Sequence, residues 1–157
     1  MKLKKYLLPF LGVFCLISVS CGSDDSTEQV SVSGGSENVE IAERIISLSP
    51  TATEILFAIG AGEQVVAVDD QSNFPVEAPM TSLSGFTPNI ESIAEYQPDL
   101  VVASYDPGDL VSGLEALEVE TVLQSAASSM EDTYAQINEL GVLSGQESEA
   151  NELIETI

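Results

Sequence analysis

"RIISLSPTATEILFAIGAG", residues 44–62, passes from a short apolar stretch directly into an amphipathic one. Ile45, Ile46 and Leu48 have the density of a buried strand. Ala52, Ile55, Leu56 and Ile59 then recur at i, i+3, i+4 and i+7, the spacing of one helix face, before Gly60 and Gly62 supply a stop. Ser47, Ser49, Thr51, Thr53 and Glu54 crowd the junction. Three readings compete for such a turn: a catalytic elbow, the rim of a binding cleft, or a well-capped helix. Capping has two forms available, Ser49 as N-cap with Pro50 in the first helical position, or Thr51 paired with Glu54 in a capping box.

The pattern of the first unit repeats downstream. "QVVAVD" (64–69), "DLVVAS" (99–104) and "ETVLQS" (120–125) are short, nearly continuous apolar runs of the kind that buried parallel strands show. Helical patterns separate them, at about 88–96, 108–118 (burying Leu110, Val111, Leu114 and Leu117) and 129–140. A break at Gly141 and Gly145 precedes a last amphipathic segment that carries Ala150, Leu153, Ile154 and Ile157 on one face. Strand–helix alternation predicts an α/β fold with a parallel sheet flanked by helices. In such a sheet the N-terminus of the first helix lies at the carboxyl edge of its strand, where ligands bind and free N–H groups favour polar or anionic groups.

Composition narrows the function. The 157 residues suffice for one ordinary domain, and they carry 26 acidic residues against 4 basic ones and no histidine. Lys2, Lys4 and Lys5 are confined to the extreme N-terminus, so Arg44 is the one basic residue beyond it. A surface this acidic repels phosphates, which excludes nucleic acid as a partner. It fits either a solvated, salt-adapted surface or an acidic docking face. Without histidine, neither a Ser-His-Asp nor a Cys-His arrangement can be built, and no imidazole is available to a metal. No GxSxG, phosphate loop or GxGxxG occurs. Asp69 and Asp70 read as strand-end turn residues rather than an acid/base pair. These observations predict a non-enzyme with no catalytic residue, no protein-held metal and no cofactor.

The first residues read as an export signal. "MKLKK" is a positive segment, and "YLLPFLGVFCLISVS" an apolar run of 15 residues interrupted by Pro9, too short for a comfortable membrane span. Ser18 and Ser20 precede Cys21, which is followed by Gly22 and Ser23. This resembles a bacterial lipobox, with Ser18 where leucine is usual. It implies a signal peptide over 1–20, lipidation of Cys21 and attachment to the membrane through that lipid. Cys15 would leave with the signal, so no disulfide is expected. Residues 21–43 are acidic and Ser/Gly-rich, the composition of a flexible tether.

Two longer stretches carry a family resemblance. "RIISLSPTATEILFAIGAGEQVVAVDDQSNFP" and "SGFTPNIESIAEYQPDLVVAS" resemble the substrate-binding proteins of ABC importers for vitamin B12 and iron–siderophore complexes. The shared features are an arginine-led strand, a Ser-Leu-Ser-Pro turn, a Thr-Glu helix, a "V-V-x-V-D" strand, a Gly-Phe stretch and "P-D-L-V" entering a strand. The resemblance runs from about Arg44 to Ile157. It implies a two-lobe fold in which two Rossmann-like α/β lobes are joined by a long helix and hold ligand between them. Residues 44–145 would form the first lobe and 146–157 the start of the joining helix, with the chain as an N-terminal part and the second lobe absent from it.

The implied ligand is a metal chelate, either an iron–siderophore or a cobalamin-type molecule. The implied partners are the ABC permease and its ATPase, with the lipid-anchored protein facing the periplasm or the cell exterior. By the same resemblance, ligand contacts come from the loops at Ser49 to Thr53, Asp70 to Phe74, Gly85 to Thr87 and Ser104 to Asp106. The candidates are Ser49, Thr51, Thr53, Gln71, Phe74, Gly85, Phe86, Ser104 and Tyr105. Vitamin B12 binders of the family place bulky aromatics where Gln71, Gly85 and Ser104 stand here, although Phe74, Phe86 and Tyr105 lie close by. Glu91 matches a first-turn glutamate that pairs with permease arginines in related proteins; by itself, a glutamate there also favours the helix dipole. The rival reading is a single-lobe sensory or protein-interaction domain of the same fold without a transport role.

Overall fold

The computed structural model describes residues 40–157. The signal segment 1–20, Cys21 and residues 21–39 of the tether lie outside the described residues. Five strands form one parallel sheet: β1 (Ile45–Leu48), β2 (Val65–Asp69), β3 (Met80–Leu83), β4 (Leu100–Ala103) and β5 (Glu120–Leu123), in the spatial order β3-β2-β1-β4-β5. The helices are α1 (Pro50–Ala58), α2 (Ile90–Ala94), α3 (Leu110–Glu115), α4 (Met130–Ser144) and α5 (Glu147–Thr156), with a 3₁₀ turn at Ala61–Gln64.

Strand alternation sorts the core into two layers. Ile45, Val65, Val68, Leu100 and Val102 point to one face, where Leu56 and Ile59 of α1, Ile137, Leu140 and Leu143 of α4, and Ala150 of α5 cover them. Ile46, Leu48, Ala67, Val101 and Ala103 point to the other, beneath Ile93 of α2 and Leu110 and Leu114 of α3. Because both faces are covered, the central strands are apolar at nearly every position, the hydrogen-bonded Ser47 excepted, which is why they read as continuous runs. The α/β sandwich expected from the alternation is therefore the fold observed.

Ser49 caps α1, accepting from the Ala52 N–H at 3.4 Å with Pro50 in the first turn; Thr51 and Glu54 do not form the cap. Strand β3 has no counterpart among the predicted runs. It is an edge strand whose residues are mostly exposed or half-buried, so only Leu83 of "MTSL" carries an apolar signal inward. Helix α3 ends at Glu115, two residues short of Leu117, which is 50 % exposed instead of buried. Gly141 does not break α4. A Cβ there would come 2.6 Å from the Ala150 Cβ, so the glycine lets α5 cross close against α4. The break falls at Gly145 alone, whose φ of +72° ends the helix. The fold also takes in the last tether residues. Ala42 is buried, its N–H donates to Leu143 O at 2.8 Å, and Gln64 Nε2 donates to its carbonyl at 2.7 Å.

Candidate ligand-binding site

The strand order reverses between β1 and β4, so the chain leaves these neighbours toward opposite flanks of the sheet. The loops after them diverge and leave a crevice at their carboxyl ends, the usual ligand position in open α/β sheets. Two hollows lie there and share Ser104. One, of about 80 Å³, is lined by Leu48, Pro50, Asp69, Gln71, Gly85, Phe86, Ser104 and Tyr105. The second, of about 360 Å³, runs past Ser49, Thr51 and Ala52 to Gln124, Ser125, Ala126, Ala127 and Gln136. Every strand thus contributes its carboxyl-end loop to one continuous edge.

The smaller hollow has aromatic walls and a polar floor. Phe86 is 66 % exposed and Tyr105 41 %, and the Tyr105 hydroxyl donates to Phe86 O at 3.1 Å, tying the β3 and β4 loops together. Ser84 Oγ accepts from the N–H groups of Phe86 and Thr87 at 3.2 and 3.1 Å, which holds the Gly-Phe turn. Gly85 is required by close approach. A Cβ there would stand 2.6 Å from Leu48 O and 2.8 Å from Asp69 Oδ2, nearer than atoms pack. Beyond Tyr105, Asp106 Oδ1 accepts from the N–H groups of Gly108 and Leu110 at 2.8 and 3.1 Å. The Gly108 bond leads among the causes that hold the Asp106 carboxyl below its ordinary range. The larger hollow is polar. Gln124, almost fully buried, is held by donation from Nε2 to Gln136 O at 3.2 Å and Glu139 Oε2 at 2.8 Å.

The structure brings Ser49, Thr51, Gln71, Gly85, Phe86, Ser104 and Tyr105 to this edge. Thr53 is placed otherwise. It is fully buried, and its hydroxyl lies 2.8 Å from Ser47 Oγ and 3.0 Å from Ser49 O, where it braces the turn from within. Phe74 is 63 % exposed on the β2–β3 connection but lines neither hollow. Glu91 is exposed in the first turn of α2, after the Asn89 cap. Among the lining residues that escaped the sequence-based selection are Asp69 and Gln124. Both end apolar strand runs, a position that ordinary turn residues share, so the sequence alone did not single them out.

A larger hollow of about 580 Å³ lies at the opposite, amino-terminal edge of the strands, between Glu40, Glu43, Asp99, Glu118 and Glu120. The Asp99 carboxylate there already accepts from the Glu43 and Arg44 N–H groups, and the wall offers no aromatic. Size alone does not make it the site. Among the described residues, no group of three or more Asp, Glu, Cys or His could hold a metal ion.

A family model for periplasmic binding proteins matches residues 45–157. The chain belongs to this family. The resemblance to ABC-importer substrate-binding proteins read from the motifs therefore holds. A vitamin B12-binding protein of Vibrio parahaemolyticus is 35% identical over 113 residues, covering 69% of this chain and 41% of that protein. An ABC transporter substrate-binding lipoprotein of Bacillus subtilis is 28% identical over 120 residues, 73% of this chain and 38% of its own length. Among solved structures, a possible iron-binding (periplasmic solute-binding) protein of Staphylococcus epidermidis superposes with a TM-score of 0.67 at 29% identity. That match covers 74% of this chain and 48% of the other. The chain thus spans less than half the length of these relatives, and the matched part is one α/β lobe. The relatives named are binding proteins, and the family is one of exported, periplasmic proteins.

Proposed function

We propose that this chain is the ligand-binding first lobe of an ABC-importer receptor that captures a metal chelate and delivers it to the membrane permease. The observation that carries the proposal is the convergence of all five strand-end loops on one crevice at the reversal of strand order. Two exposed aromatics, Phe86 and Tyr105, stand at its rim, a fit for the flat or greasy periphery of a chelate. Cobalamin-type and iron–siderophore ligands are the class that the relatives' names support. The metal would arrive inside the ligand, held by the chelator. Among the described residues the Ser47 hydroxyl donates to the Ser49 carbonyl and lies 2.8 Å from the Thr53 hydroxyl, and neither serine has a catalytic role in this reading.

In this reading residues 44–145 form the lobe, 146–157 enter an inter-lobe helix that begins with α5, and a second lobe completes the cleft. Cys21 carries the lipid anchor, and the acidic segment 21–43, whose last residues pack into the fold, tethers the lobe to the membrane. Calorimetric titration of the full-length protein with cyanocobalamin, ferrioxamine B and hemin tests ligand capture. Saturable binding of at least one of them at micromolar Kd or tighter is expected, at about −8 kcal/mol or better. Failure of all three would remove the proposal. Delivery rests on Glu91 contacting a permease arginine. Glu91→Ala should then lower chelate uptake by whole cells several-fold and leave the Kd unchanged; wild-type uptake by this variant would show that α2 is not the docking element.

A further inference from the structure

Asp69, a residue only 2 % exposed, closes β2, and the two oxygens of its carboxylate have different surroundings. Oδ1 accepts from the Ser72 N–H at 3.0 Å and the Ser72 hydroxyl at 2.6 Å, which forms the turn after the strand. No donor among the described residues reaches Oδ2. Nor is Oδ2 sealed: the side-chain atoms shut off from solvent without a partner are Gln64 Oε1 and Thr121 Oγ1. Asp69 lines the small hollow with Phe86 and Tyr105, and beside that hollow Oδ2 is its oxygen without a protein donor. Leu48 O lies beside it, since both oxygens sit within 2.8 Å of the one point where a Gly85 Cβ would be. A negatively charged acceptor on the floor of an apolar-walled hollow is under-bonded, because a carboxylate can accept about four hydrogen bonds. The sole basic residue of the lobe is spent elsewhere, Arg44 donating to Tyr96 O and Gln97 O at 2.6 and 2.9 Å.

We infer that Asp69 is a ligand-contacting residue whose Oδ2 accepts a hydrogen bond from an amide N–H, hydroxyl or ammonium group on the chelate's periphery. The hollow then selects a neutral or cationic chelate that presents a donor, and rejects one that presents a carboxylate at that point. This inference rests on the receptor reading above. It also assigns a role to Gly85, whose missing Cβ lets the β3 loop pass close against Leu48 O and Asp69 Oδ2 and bring Phe86 to the same hollow.

The test uses the full-length protein with ferrioxamine B and cyanocobalamin as donor-bearing probes and hemin as the anionic one. Wild type should bind a donor-bearing probe more tightly than hemin. Asp69→Asn keeps an oxygen for Ser72 and turns an N–H₂ toward the hollow, so it should weaken that probe at least about tenfold, the loss of one charge-assisted bond. Ser72→Ala disturbs the turn and spares Oδ2, so it should lower the Tm with little change in Kd. Tightest binding of hemin by wild type, or unchanged donor-probe affinity in a folded Asp69→Asn protein, overturns the role of Asp69 and leaves the receptor reading standing. Wild-type protein that binds none of the three overturns both. If Asp69→Asn does not fold, the ¹³C resonance of the Asp69 carboxylate in wild type decides. A shift on probe addition supports the contact, and a static resonance overturns it.

Discussion

At the scale of single residues, the turn after β1 shows how a hydroxyl-rich junction is used. Ser47 donates to the Ser49 carbonyl at 3.0 Å, and Thr53 joins the same buried cluster. These hydroxyls satisfy each other in the core, whereas Ser49 and Thr51 line the larger hollow. Thr53→Val keeps the shape and removes one buried hydrogen-bonding partner. It should cost about 1–2 kcal/mol in urea unfolding while leaving chelate affinity within about twofold. A large loss of affinity without loss of stability would return Thr53 to the ligand site. Which hydroxyl faces inward was not legible from the sequence. Ser49, Thr51 and Thr53 are chemically similar, and only the helix phase, set by packing of Leu56 and Ile59, decides their directions.

At the scale of elements, α4 is the best-capped helix of the lobe. Ser129 Oγ accepts from the Asp132 N–H at 3.1 Å, and Asp132 Oδ2 accepts from the N–H groups of Ser129 and Ser128 and from the Ser128 hydroxyl. The Ser128 hydroxyl is the foremost cause that holds the Asp132 carboxyl below its ordinary value of 3.8. A depressed folded-state value contributes stability that is present above the unfolded value and is lost as pH falls through the folded one. Loss from Asp132 therefore belongs to the window below about pH 4, and Asp132→Asn should flatten that part of a Tm-against-pH curve. Ser129→Ala should lower stability by about 0.5–2 kcal/mol at neutral pH. An unchanged Tm in Ser129→Ala would mean that α4 is held by Ile137, Leu140 and Leu143 alone. The start of this helix was legible from its pattern, but its end was misplaced at Gly141. A glycine inside a helix and one that stops a helix look alike until a partner helix is seen crossing it.

At the scale of the whole molecule, charge is the dominant feature. The chain carries a formal net charge of −22, and only Arg44 is basic among residues 40–157. Such self-repulsion destabilises the compact state and is screened as the Debye length falls from about 30 Å at 0.01 M salt to about 3 Å at 1 M. The Tm should rise steadily over that range of sodium chloride, and urea midpoints should rise with it. A salt-independent Tm would mean that the carboxylates are too widely spaced to repel. This balance was fully legible from composition. The hollows were not, because they depend on which strands are neighbours.

The sequence by itself determined the α/β class, four of the five strands, the face that α1 buries, the exclusion of imidazole chemistry and the family. Each is written in local periodicity, in composition or in ordered motifs. Tertiary structure decided the strand order and the crevice it opens at β1 and β4. It also supplied the edge strand β3, whose half-exposed residues carry no apolar run. Asp69 and Gln124 entered the candidate site only through the fold, since nothing local distinguishes a strand-end turn residue from one that borders a hollow. "SLSPTAT" stands between the two cases. Its cap was legible, but the division into hydroxyls that brace the turn and hydroxyls that line the hollow required the helix to be packed on the sheet.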